Sequence, residues 1–316
     1  MTMPASRSAR PSALGIAAAV CVCAMAPAWF VLHWIWAGIA LGVAGLGLAA
    51  CAGRARSAAP ASAAPASAGR SAARAAASDV DVRPRAENGR APSLLRDLSL
   101  IVMGLGVVRL IPLAAQLDNW SMVKFTLALG GAVAVPYVVS RFVYRDRATS
   151  FPWRGAGDAR GERWGPYHWA WLVAVIVLAW LILPWYFITS GVYANWPVVD
   201  TPELIARLFV GVGAVGIWDE LFFICTVFAV LLRHFPVWIA NLLQMVVFVS
   251  FLWELGYRAW GPLLTIPFAL VQGIIYLRTR SLSYVVTVHL LFDAVVFAVL
   301  VHAHQPELFD WFPTAP

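Results

Sequence analysis

Hydrophobic positions in this chain come in long unbroken blocks, without strict alternation and without a single helical stripe. From residue 98 onward seven apolar stretches follow one another, near 98–116, 121–143, 167–190, 202–233, 236–255, 261–278 and 281–303. Each is close to the roughly 20 residues that carry an α-helix across a bilayer. Residues 12–53 form a further block about twice that length, interrupted by Pro27 and His33, which predicts a hairpin of two helices. The pattern therefore predicts an all-α protein, a polytopic transmembrane helix bundle of about nine helices. The stretch "DTPEL" gives one helix start in detail, with Thr201 as N-cap and Pro202 at the first helical position.

Residues 54–97 break the pattern. They include "AAPASAAPASAGRSAARAAAS", with no periodicity and almost no aromatic content, and read as a disordered Ala/Pro/Arg-rich linker on the cytoplasmic side. Three parts result: a transmembrane hairpin at 1–53, the linker at 54–97 and a transmembrane bundle at 98–316.

Composition supports the membrane reading. The chain is 61% hydrophobic and 12% charged, with a mean hydropathy of +0.75, where soluble domains carry about 25% charged residues. Its basic excess is nearly all arginine, with Lys124 the single lysine. These arginines fall between apolar runs, as topology signals do, so a lipid bilayer is the expected partner and nucleic acid is not. With the N-terminus in the cytoplasm, Arg7, Arg10, the linker arginines, the Arg141–Arg163 cluster, Arg233, Arg278 and Arg280 share that side. The opposite loops, such as "QLDNW" and "GVYANWPVVD", are acidic or neutral, and Arg258 is the exception. The Ala/Arg-rich style suggests a multi-pass protein of a bacterial inner membrane. Cys21, Cys23, Cys51 and Cys225 all lie in apolar segments without CxxC spacing and read as small packing residues.

Candidate chemistry comes from the few ionisable groups inside the apolar runs, because each costs roughly 3 kcal/mol to insert. At a rise of about 1.5 Å per residue, Glu220 and Asp293 each lie about 20 Å above the arginine-rich ends of their segments, and His289 about 14 Å. Arg109, counted from Arg96, reaches a similar height and reads as a counter-ion. His289 and Asp293 are four apart and share a helix face. Asp219 and Glu220 are adjacent and point about 100° apart. Two close carboxylates in low dielectric resist joint ionisation, an arrangement suited to general acid/base chemistry. Asn241, Gln244 and Gln272 read as helix–helix hydrogen bonds.

The run of features over the C-terminal third, with "WDELFFI", "SFLWELGY" and "YLRTRSLSYVVTVHLLFD", resembles the CAAX protease and bacteriocin-processing family of intramembrane proteases. The protease-like core spans about 201–303. The family's first motif is Glu-Glu-xxx-Arg; in this chain it reads Asp219-Glu220, with Ile224 in place of the arginine. Its second is a phenylalanine followed by a histidine; Glu254 stands about where that histidine belongs, with Phe248 or Phe251 as the aromatic. Its third is matched by His289 and Asp293. The resemblance implies an intramembrane endopeptidase for a membrane protein or peptide substrate. Glu220 would activate water, helped by Asp219, while His289, Asp293 and Glu254 position the water and polarise the carbonyl. Arg109 could stand in for the missing arginine. No cofactor is implied outright. Zinc stays open because His289, Asp293, Glu220 and Glu254 are acceptable donors, although no HExxH occurs. Two other readings remain: a catalytically inactive relative that binds or chaperones membrane proteins, and a proton-coupled transporter.

Overall fold

The computed structural model describes residues 11–58, 92–111, 116–153, 164–308 and 310–314. Among these residues the chain is helical throughout, with nine long helices and no strand: α1 (Ala13–Val31), α2 (Ile35–Ala58), α3 (Leu94–Leu110), α4 (Asn119–Tyr144), α5 (Pro166–Thr189), α6 (Pro202–Leu232), α7 (Val237–Glu254), α8 (Pro262–Thr279) and α9 (Leu282–His304). All but α3, which has 17 residues, are long and apolar enough to cross a membrane. The protein is a polytopic membrane helix bundle, as the apolar blocks predict.

Polar oxygens set where several helices begin. The N–H groups of a first turn lack partners within the helix. Ser12 accepts from Gly15 N at α1, and Asp118 accepts from Trp120 N and Ser121 N at α4. Thr201 accepts from Leu204 N ahead of Pro202 at α6. At α9, Ser281 Oγ accepts from Tyr284 N, while the carbonyls of Pro152 and Trp153 accept from Leu282 N and Ser283 N.

Two boundaries differ from the sequence reading. The hairpin breaks at His33, at φ +56°, as one of the two expected interruptions, whereas Pro27 does not break it but opens a wider π-wound turn at Pro27–Val31. Proline lacks the N–H that an ordinary helical turn would need there. Helix α3 starts at Leu94, inside the expected linker. Its first-turn acid Asp97 is fully buried against Arg233 and His234, so a neighbouring helix satisfies it where solvent was expected to. Residues 59–91 of the linker lie outside the described residues.

Helix α6 is the hub. It packs against α3, α4, α7, α8 and α9, and 78% of its most apolar window is buried, against 22% for α4. The α1–α2 hairpin packs on α3 and α7, through an edge-to-face Phe30–Phe251 contact at 5.9 Å among others. Short connections reverse the chain after most helices. One end of the bundle therefore gathers the arginine-bearing turns at Arg233 and Arg280, and the other gathers the loops at 32–34, 190–201 and 255–261.

Candidate active site

The middle of α6 carries the first polar groups. Ordinary winding ends at Asp219, and Glu220–Phe228 continues as a π-helical stretch. Within it Thr226 Oγ1 donates to the Leu221 carbonyl five residues back. Such wide turns are rare and recur at functional sites. This one begins at the acid pair, with Asp219 and Glu220 at 1% and 2% exposure.

Helix α9 supplies the partners. His289 Nδ1 lies 2.8 Å from Glu220 Oε1, which orients the ring so that Nε2 faces Asp219 Oδ2 at 3.5 Å and Asp293 Oδ1 at 4.0 Å. Gln272 on α8 donates to the same Glu220 Oε1 at 2.8 Å and to the Val285 carbonyl at 3.2 Å, binding α6, α8 and α9 together. Phe268 and Phe248 pack edge-on against the imidazole, at 5.1 and 6.2 Å between ring centres. Below this layer Asn241 and Gln244 donate to the Leu270 and Ala269 carbonyls, the helix–helix role expected of them.

A cavity of about 30 Å³ opens on the Nε2 side of the ring. Asp219, His289 and Asp293 line it, with Tyr257, Thr265 and Leu252 among the rest. A water molecule needs roughly 10–15 Å³ by this measure and two to four polar partners, so the cavity holds one comfortably. Both carboxylate oxygens of Asp219, and Oδ2 of Asp293, are buried and take no hydrogen bond among the described residues. Buried acceptors of this kind are uncommon and call for a ligand or a chemical role. A larger groove of about 90 Å³ runs from Asp293 and Tyr257 toward the Trp196 loop, between Met122 of α4 and Leu208 and Val212 of α6.

Four of the five residues singled out from sequence thus meet: Asp219, Glu220, His289 and Asp293. Glu254 does not join them. It ends α7 beside the hairpin loop, with its Oε2 3.8 Å from His33 Nε2. Two residues earlier, Leu252 is the α7 side chain that lines the cavity, four positions after Phe248. Arg109 falls in the last turn of α3. Among the described residues no ion pair links it to the cluster, and its Nε is buried without a hydrogen bond. Ile224, at the place of the family arginine, lines a smaller space of about 10 Å³ beside Asp219 and Glu220. Tyr257 and Thr265 were missed by the sequence reading. The polarity of Gln272 was noticed, but not its bond to Glu220.

Zinc does not fit these side chains. Among the described residues no group of three or more His, Cys, Asp or Glu is arranged to hold a metal ion. Of the four donors named from sequence, Glu254 lies elsewhere and the Glu220 Oε1 is taken up by His289 Nδ1 and Gln272, which leaves His289 and Asp293.

A family model described as Rce1-like, type II CAAX prenyl endopeptidase Rce1-like, matches residues 201–295, a little under a third of the chain. This segment runs from the start of α6 to Val295 of α9 and contains every side chain that lines the cavity. It carries the CAAX prenyl endopeptidase family resemblance seen in the motifs. No curated protein and no solved structure matches the chain.

Proposed function

We propose that, through this family segment, the chain is an intramembrane endopeptidase that hydrolyses a peptide bond at the cavity between Asp219, His289 and Asp293. One observation carries the reading: unbonded carboxylate oxygens of Asp219 and Asp293 face a water-sized cavity beside His289 Nε2, buried in mid-bundle. Carboxylates that accept no protein hydrogen bond are free to bind the O–H of a water and take its proton. The geometry favours Asp219 as that base. Glu220, the base suggested by sequence, is occupied by His289 Nδ1 and Gln272, and so acts by fixing the imidazole. A third group that orients the base or donor is the usual logic of such sites.

Water adds through its oxygen to the carbonyl carbon while Asp219 accepts a proton. The carbonyl oxygen becomes an oxyanion. The C–N bond then breaks and the leaving amine takes the proton back from Asp219. His289 Nε2 and Asp293 hold the water and the tetrahedral centre in place. Burial among Phe248, Phe268 and Phe292 strengthens these polar contacts by lowering the local dielectric.

The matching family is that of a CAAX prenyl endopeptidase, so a peptide with a lipid-bearing C-terminal cysteine motif is the first substrate to try. The assay is cleavage of such peptides, and of unmodified membrane-inserted peptides, by the protein in liposomes. Asp219→Asn and His289→Ala should each lower kcat/KM by about 10³-fold or more, and Glu220→Gln by less. Cleavage persisting in both Asp219→Asn and His289→Ala would overturn these roles. Stable capture of peptide without turnover by the unaltered protein would favour an inactive binding relative.

A further inference from the structure

The acids of this site accept hydrogen bonds, but peptide hydrolysis also needs donors for the oxyanion. His289 Nε2 is one. Helix α7 presents Leu252 to the cavity and so contributes none. We propose that Tyr257 is the missing donor, its phenol hydrogen-bonding the carbonyl oxygen of the scissile peptide as water adds to it. This rests on the peptidase reading above and names a further catalytic residue for it.

Position comes first. Tyr257 lines both the water-sized cavity and the larger groove that leads away from it. Of the residues lining both, Tyr257 and Asp293 are the polar ones, Val215 being apolar. A peptide carbonyl arriving along the groove meets the phenol where it meets the acids.

Rigidity comes second. An oxyanion donor must be held in place before the charge forms. Tyr257 sits in the short turn between α7 and α8, where its N–H donates to the Leu252 carbonyl at 3.0 Å. Its ring is clamped edge-on by Trp196 at 5.4 Å and Phe187 at 5.7 Å. On either side Asn195 Nδ2 donates to the Gly256 carbonyl at 2.9 Å, and Tyr186 Oη to the Arg258 carbonyl at 2.7 Å. The turn depends on Gly256 at φ +114°, where a Cβ would also meet the Trp196 ring at 3.0 Å. Tyr186 thus spends its hydroxyl on the turn, while no hydrogen bond among the described residues engages the Tyr257 phenol.

Protonation comes third. Burial pushes the Tyr257 phenol well above the usual tyrosine range, and the nearby Asp293 and Asp219 push it the same way. The group therefore stays an O–H donor at any pH where a membrane enzyme works. During the reaction it keeps its proton. It shares that proton with the oxyanion while the water's proton goes to Asp219 and on to the leaving amine.

Tyr257→Phe keeps the ring and its clamp and removes the donor alone. In the liposome assay it should lower kcat by about 10²-fold and leave KM unchanged. It should also weaken a phosphinic peptide, whose P–O⁻ stands where the oxyanion forms, by a similar factor, without weakening the parent peptide. Wild-type kcat and wild-type phosphinic affinity in Tyr257→Phe would overturn the role of Tyr257 and leave the peptidase reading standing. Absence of any cleavage by the unaltered protein would overturn both. Loss of parent-peptide binding in step with phosphinic binding would mark Tyr257 as a ground-state contact and also overturn the proposal.

Discussion

Gly216 shows how closely the site is fitted. It lies one helical turn before the acid pair on α6, and a Cβ added there would collide with Asp293 Oδ2. Asp293 can swing away, so Gly216→Ala should fold and unfold much like the parent. Its carboxylate would still leave the cavity, and a displacement of about 1 Å near reacting groups costs on the order of 10²-fold in rate. Parallel melting and cleavage measurements test this, and unchanged cleavage would show that Asp293 is not held where it is needed. Asp219, Glu220, His289 and Asp293 were legible in the sequence because charge inside an apolar run is conspicuous, and because His289 and Asp293 share a face by spacing. Glu254 and Arg109 were not. Counting rise gives a residue's height but not its direction, and two positions along a helix turn a side chain by about 200°. Leu252 therefore faces the cavity where Glu254 cannot. Tyr257 lies in a turn with no periodicity to point it anywhere.

At the scale of elements, the arginine-bearing end is held by a buried clasp. Arg233 at the end of α6 reaches Asp97 of α3 at 2.9 Å and Asp146 beyond α4 at 3.7 Å, while His234 Nε2 lies 2.6 Å from the other Asp97 oxygen. Removing one partner of a buried ion pair costs roughly 3–5 kcal/mol, because the other charge is left without compensation. Asp97→Asn should therefore lower the unfolding midpoint in detergent markedly, whereas Glu203→Gln, whose pair with Arg207 is exposed, should scarcely move it. Equal midpoints for the two variants would count against the clasp. The same loop that carries Asp146 continues to Pro152 and Trp153, whose carbonyls cap α9, so the helix of His289 starts from a fixed point. Helix limits were readable from apolar length and from Thr201–Pro202. The clasp was not, because Asp97, Asp146 and Arg233 are far apart in sequence and each reads singly as a solvated loop charge.

For the whole molecule, the hairpin belongs to the bundle: Phe30 packs on Phe251, and Trp29 Nε1 donates to the Ile35 carbonyl to close the turn. Its loop reaches Glu254 at the end that also carries the Tyr257 turn. The distribution of arginines favours a cytoplasmic location for the opposite end. In a background lacking the four cysteines, Thr201→Cys should react with a membrane-impermeant maleimide from outside intact cells, and Arg280→Cys only after permeabilisation. The reverse pattern would invert the topology, although the bundle and its site would be unchanged.

The π-wound stretch of α6 joins these scales. Glu220–Phe228 runs from the acid pair, which meets α9, toward Arg233, which meets Asp97 of α3. Loss of a single residue there would let the stretch relax into tighter winding, which makes up much of the rotation the lost residue carried, whereas the same loss from ordinary winding would rotate everything beyond it by about 100°. In ordinary winding either the acids would keep their phase and Arg233 would miss its clasp, or the reverse. The wide turn acts as a vernier between two half-membranes, taking up length so that the acids and Arg233 each keep their own partner.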